Sequence, residues 1–85
     1  MNPSTYFSLL AEFGTAHIPV VTLAKKYFNY DEKKAKTEAL KNNYPFPVFR
    51  LGTQKSVWMA DAAEVAKYID EAKARAKKDY DSCKI

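Results

Sequence analysis

From Tyr44 to Leu51 the chain reads Tyr-Pro-Phe-Pro-Val-Phe-Arg-Leu, and two prolines two residues apart forbid a helix there. Phe46, Val48, Phe49 and Leu51 favour extended backbone instead. Gly52-Thr53-Gln54-Lys55 is turn-like, and Ser56-Val57-Trp58-Met59 is extended again, so the pair reads as a β-hairpin. Helical periodicity dominates on both sides of it. The expected fold class is therefore mostly α with one small β-hairpin, in a single domain spanning residues 1–85.

Ahead of the hairpin, Ser4 can cap a short helix over residues 5–13, with Gly14 as its stop. Phe7, Leu10 and Ala11 share one face of it, and Tyr6, Leu9, Leu10 and Phe13 give it a broad buried side. Pro19 ends any earlier helix and suits the first turn of a new one. Val20, Leu23, Ala24 and Tyr27 then recur at i, i+3, i+4, i+7, with Lys25 and Lys26 on the other side. A turn follows at Asn29-Tyr30-Asp31, where either Asn29 or Asp31 can cap a basic helix over residues 31–42. Only Ala35, Ala39 and Leu40 look buried in that helix, and Asn42-Asn43 supply its stop. Behind the hairpin, Asp61 and Glu64 form a capping-box-like start for a last helix. Val65, Ile69, Ala72 and Ala76 mark its buried face, its end is expected near Lys78, and residues 79–85 read as a frayed tail.

Composition removes several function classes. One cysteine, Cys83, and one histidine, His17, leave no disulfide, metal cluster or catalytic triad to build, and two glycines make no phosphate loop. His17 and Trp58 read as structural residues, Trp58 as core, and Asp70 and Glu71 as helix-surface charges. No cofactor and no enzymatic activity are expected. No basic-then-apolar leader and no run of roughly 18–20 apolar residues is present, so a reducing, cytoplasmic setting without membrane contact is expected. The net charge of +4 is unevenly spread: residues 1–60 hold eight Lys/Arg against four Asp/Glu, and residues 61–85 hold six of each.

Helix, helix, turn, helix, hairpin, helix is the layout of a winged helix-turn-helix, in which the second helix of the pair enters the DNA major groove. Lys33, Lys34, Lys36, Thr37 and Lys41 lie on that helix. The hairpin is the wing, with Thr53, Gln54, Lys55 and Ser56 at its tip and Arg50 leading into it. Lysines are expected to engage phosphates, and Thr37 or one lysine to meet a base edge. A lysine-rich face also serves simply to keep a helix solvated, and a polar tip is also an ordinary turn. The conjunction of basic helix, preceding amphipathic helix and basic-tipped hairpin is what points to double-stranded DNA.

Several stretches resemble the pyocin activator protein family: Phe7-Ser8-Leu9-Leu10-Ala11, Ile18-Pro19 with Val20 through Tyr27-Phe28, Pro47-Val48-Phe49-Arg50, Gly52-Thr53-Gln54-Lys55-Ser56, and Ala66-Lys67-Tyr68-Ile69-Asp70. The resemblance covers about residues 5–78, with the match loose between Asn29 and Tyr44. It implies a short bacterial or phage-encoded DNA-binding transcriptional activator of prophage or bacteriocin-type genes, nucleoid-associated, with RNA polymerase as a further contact. The layout is also similar to phage excisionases and MerR-type domains, so an excisionase-like DNA-bending factor is an alternative. A protein adaptor contacting a repressor or polymerase without DNA is a third, of another class. One such domain buries only about 600–1,000 Å² on DNA, so a homodimer or cooperative oligomer is expected, with the Ile69, Ala72, Ala76 stripe of the last helix either its surface or packed on the monomer's own core.

Overall fold

The structure is a computed structural model and describes residues 3–52 and 57–83. In chain order it contains α1 (Pro3–Phe13), β1 (His17–Pro19), α2 (Val20–Tyr27), α3 (Glu32–Leu40), β2 (Val48–Phe49), β3 (Met59–Asp61) and α4 (Ala62–Cys83). The chain is mostly helical with a small three-stranded antiparallel sheet, ordered β1-β3-β2.

The β2–β3 pairing matches the expected hairpin, in the register Val48↔Ala60 and Phe49↔Met59. Strand β2 is shorter than the expected Tyr44–Leu51 stretch, and β3 runs later than expected, to Asp61, whose carboxylate accepts the Ala63 N–H at 3.0 Å to start α4. The third strand is a correction. Residues 17–19 lie against the other edge of β3, pairing His17↔Asp61, Ile18↔Ala60 and Pro19↔Met59. Pro19 stands just outside α2 rather than in its first turn, and its missing N–H costs no ladder bond because Pro19↔Met59 is a non-hydrogen-bonded pair, next to the Val20 N–H that donates to the Trp58 carbonyl at 2.9 Å. Ala60 thus sits between Ile18 and Val48, and only a small side chain there lets both larger neighbours close on the core.

That core gathers Leu9, Ile18, Val20, Leu23, Phe46, Ala60, Ala62, Val65 and Ala66. On α1 the Tyr6, Leu9, Leu10, Phe13 face turns inward as expected, whereas Phe7 and Ala11 are exposed. Gly14, at φ +72°, ends α1 with its N–H on the Leu10 carbonyl. Asp70 is no plain surface charge: its carboxylate accepts the Thr5 hydroxyl at 2.6 Å and ties α4 to α1. Trp58 is half-buried, packed against the core rather than within it.

On α4, Ala62, Val65 and Ala66 are buried and Ile69 and Ala72 half-buried, but Ala76 is exposed. The helix continues past Lys78 to Cys83, and every residue from Lys73 to Cys83 is exposed. Ala, Lys and Arg keep intrinsic helix propensity high in that stretch. Among the described residues, no helix is long and apolar enough to cross a membrane.

Candidate nucleic-acid interface

The turn that aims α3 is built by local chemistry. Phe28 ends α2, and the N–H groups of Phe28 and Tyr30 both donate to the Ala24 carbonyl, at 2.9 and 3.1 Å. Asn29 between them takes the left-handed conformation, φ +57°, which asparagine tolerates better than most residues. Asp31 then caps α3, its carboxylate accepting the Lys34 N–H at 2.8 Å. At the far end Asn42, φ +54°, closes the helix as its sequence suggested, with the Asn42 N–H on Ala39 and the Asn43 N–H on Glu38.

Two side chains dock α3 on α2. Ala35 and Ala39 are 0% and 1% exposed, and nothing else on the helix is buried. Leu40, expected to face inward, is 68% exposed: a pair of alanines brings the backbones together over an arc too narrow to cover the next position round. A second anchor comes from outside the pair, where the Tyr44 hydroxyl donates to the Ala35 carbonyl at 2.9 Å. Tyr44 stacks on Phe46 at 5.7 Å, and Phe28, Tyr30 and Tyr68 complete an aromatic group linking the turn to α4. Burial, then the charges of Tyr30 and Glu38, push the Tyr44 phenol pKa up, so it stays protonated and able to donate.

At 100° per residue, Thr37 points opposite the two alanines. Lys33 and Lys41 flank it, with Lys34, Leu40 and Lys36 further round, and all six are exposed. The lysines differ in freedom. Lys34 lies over the Tyr30 ring, 4.5 Å from its centroid, and Lys36 pairs with Glu32 at 3.3 Å. Lys33 and Lys41 have neither an ion pair nor a ring contact among the described residues. Thr37 donates its hydroxyl proton to the Lys33 carbonyl at 2.9 Å, which leaves the oxygen as an acceptor.

The structure therefore brings Lys33, Lys34, Lys36, Thr37 and Lys41 onto one helix surface. Arg50 is held elsewhere, its guanidinium 4.2 Å over the Trp58 ring at the sheet. Thr53, Gln54, Lys55 and Ser56 lie outside the described residues. Lys25 and Lys26 are both exposed, and Lys26 is engaged by an ion pair with Glu12 and by the rings of Phe13 and Tyr27. Sequence reasoning missed Tyr30 and Leu40 as members of this surface. The i, i+4 spacing of Tyr30 and Lys34 across the cap was a usable signal; the exposure of Leu40 had none.

Among the described residues, no group of His, Cys, Asp or Glu is arranged to hold a metal ion. His17 is exposed on β1 and packs edge-on against Phe49 at 5.8 Å, a structural contact. A groove of about 500 Å³ between α1 and α4 is walled mainly by Leu9, Tyr68, Ile69, Ala72 and Ala76.

These features define a small helix-rich domain that presents a basic helix face on a compact aromatic and aliphatic support. A family model described as pyocin activator protein PrtN matches residues 5–76, and the chain belongs to that family, which is one of regulatory activators and not of enzymes. No curated protein and no solved structure matches the chain significantly.

Proposed function

We propose that the chain is a winged helix-turn-helix regulator that binds double-stranded DNA and activates pyocin-type or prophage genes. On this reading α3 lies in the major groove and the β2–β3 connection runs along a flanking phosphate backbone. The observation that carries the reading is the outer surface of α3, where four lysines and Thr37 are exposed while only Ala35 and Ala39 are buried. A helix docked by two small side chains leaves most of its circumference for a partner, and the charge on that circumference suits phosphate. Membership of an activator family supports the regulatory half of the proposal.

Lys33 and Lys41 are assigned to phosphates, Lys34 and Lys36 to phosphates once drawn from Tyr30 and Glu32, and Thr37 to a base edge. Lys55 and its neighbours in the β2–β3 connection are assigned to the backbone beside the groove. A single domain of this kind buries only about 600–1,000 Å² on DNA. We therefore assign a homodimer or cooperative array to repeated half-sites, with the exposed distal half of α4 as the self-association surface.

Titration of the protein onto random-sequence duplex at 50 and 200 mM salt tests the proposal. Five neutralised phosphates give a slope of about −4 to −5 in log affinity against log salt, so affinity should fall a few hundredfold between the two conditions. Absence of binding at low salt would refute DNA recognition and favour a protein adaptor.

A further inference from the structure

Leu40 is the one apolar residue on the basic surface of α3, and it is 68% exposed. Its surroundings set it apart from the other exposed apolar side chains, since single apolar residues on a surface need no explanation by themselves. It stands four residues after Lys36, three after Thr37 and seven after Lys33, so all four share one side of the helix. The Thr37 hydroxyl is bonded back to the Lys33 carbonyl, and Thr37 is exposed one turn before Leu40 on the same side. The result is a short hydrocarbon strip bordered by ammonium groups.

Ammonium groups at the border select a polyanion, and the hydrocarbon between them selects an apolar feature on that polyanion. In the DNA major groove that feature is the C5-methyl of thymine, the apolar group that distinguishes an A·T pair there. From Lys33 to Leu40 the helix rises about 10 Å, and base pairs are spaced about 3.4 Å, so the strip spans about three steps.

Resting on the DNA-binding reading above, we propose that Leu40, together with the Thr37 methyl, is a specificity-determining contact that reads thymine methyl groups in the major groove. Leu40 supplies discrimination and the lysines around it supply affinity. A protein with this arrangement prefers sites with thymine opposite the C-terminal half of α3.

The test uses two duplexes of alternating dA and dT that differ only in having dT or dU throughout, since dU lacks the methyl and keeps every Watson–Crick group. Wild-type protein, Leu40→Ala and Lys36→Ala are titrated onto both at one low salt concentration. Burial of one methyl corresponds to about fourfold in affinity. The wild type should bind the dT duplex about fourfold or more tightly than the dU duplex. Leu40→Ala should lower that ratio toward one while binding the dU duplex about as the wild type does. Lys36→Ala should weaken both and keep the ratio. Because Leu40 lies outside the core, thermal melts of Leu40→Ala should match the wild type. A wild-type ratio near one, or an equal ratio in wild type and Leu40→Ala, overturns the assignment while leaving DNA binding standing. Failure to bind either duplex overturns the DNA-binding reading itself and this inference with it.

Discussion

Around Ile18, residues from α1, α2, α4, β3 and the Phe46 segment converge, and Leu9, Val20, Leu23 and Val65 are each 2% exposed or less. Around α3 the support is two alanines, one tyrosine hydroxyl and a cap at either end. The body is thus held by apolar area drawn from the whole chain, while α3 is held by backbone proximity and by hydrogen bonds at its edges. A wide apolar stripe would fix α3 more firmly but would spend the surface that now carries five exposed polar or charged side chains. The thin stripe of α3 is therefore what leaves its lysine face exposed.

This contrast can be broken at several points. Leu23→Ala strikes the body, where removing a buried leucine costs about 2–5 kcal/mol, and denaturant melts should show a loss in that range. Ala39→Leu strikes the α2–α3 seam. Overpacking there should cost about 1–3 kcal/mol and selectively speed hydrogen exchange in α3. Equal acceleration throughout the chain would show that α3 is no separate layer. Tyr44→Phe removes the hydroxyl from the Ala35 carbonyl and should cost about 0.5–1.5 kcal/mol.

The same tyrosine sharpens the comparison through pH. Its pKa is raised in the fold, first by burial, so the folded state favours the neutral phenol. The corresponding stability is fully present below the unfolded-state pKa and is lost as pH rises through the folded one. Alkaline melts of the wild type should therefore lose a component that Tyr44→Phe lacks. Identical alkaline profiles would remove the phenol from the account.

Much of the fold was legible where the determinants are local. The Val20, Leu23, Ala24 spacing marks α2, Asp31 caps α3, Asn42-Asn43 stop it, and Gly14 stops α1, because each acts within a few residues. Strand β1 was not legible: three residues are too short for a period, and Pro19 fits a helix start as well as a strand end. Leu40 was misassigned because periodicity counts apolar positions and cannot tell how wide an arc a neighbour covers. The lysine face of α3 was readable from composition and spacing. The pairings that sort its members were less so, since Arg50 on Trp58 and Tyr44 on the Ala35 carbonyl join residues eight or nine positions apart through tertiary packing.

The proposed contact between the outer face of α3 and DNA phosphates is read directly by salt dependence. Affinity for random duplex should be measured across a salt series for the wild type and for the Lys33→Ala, Lys41→Ala double variant. Both positions are exposed, so the variant should fold normally. The account predicts a slope shallower by about two, with weaker binding to every sequence. An unchanged slope with unchanged affinity would contradict it and place the DNA contact, if one exists, on another surface.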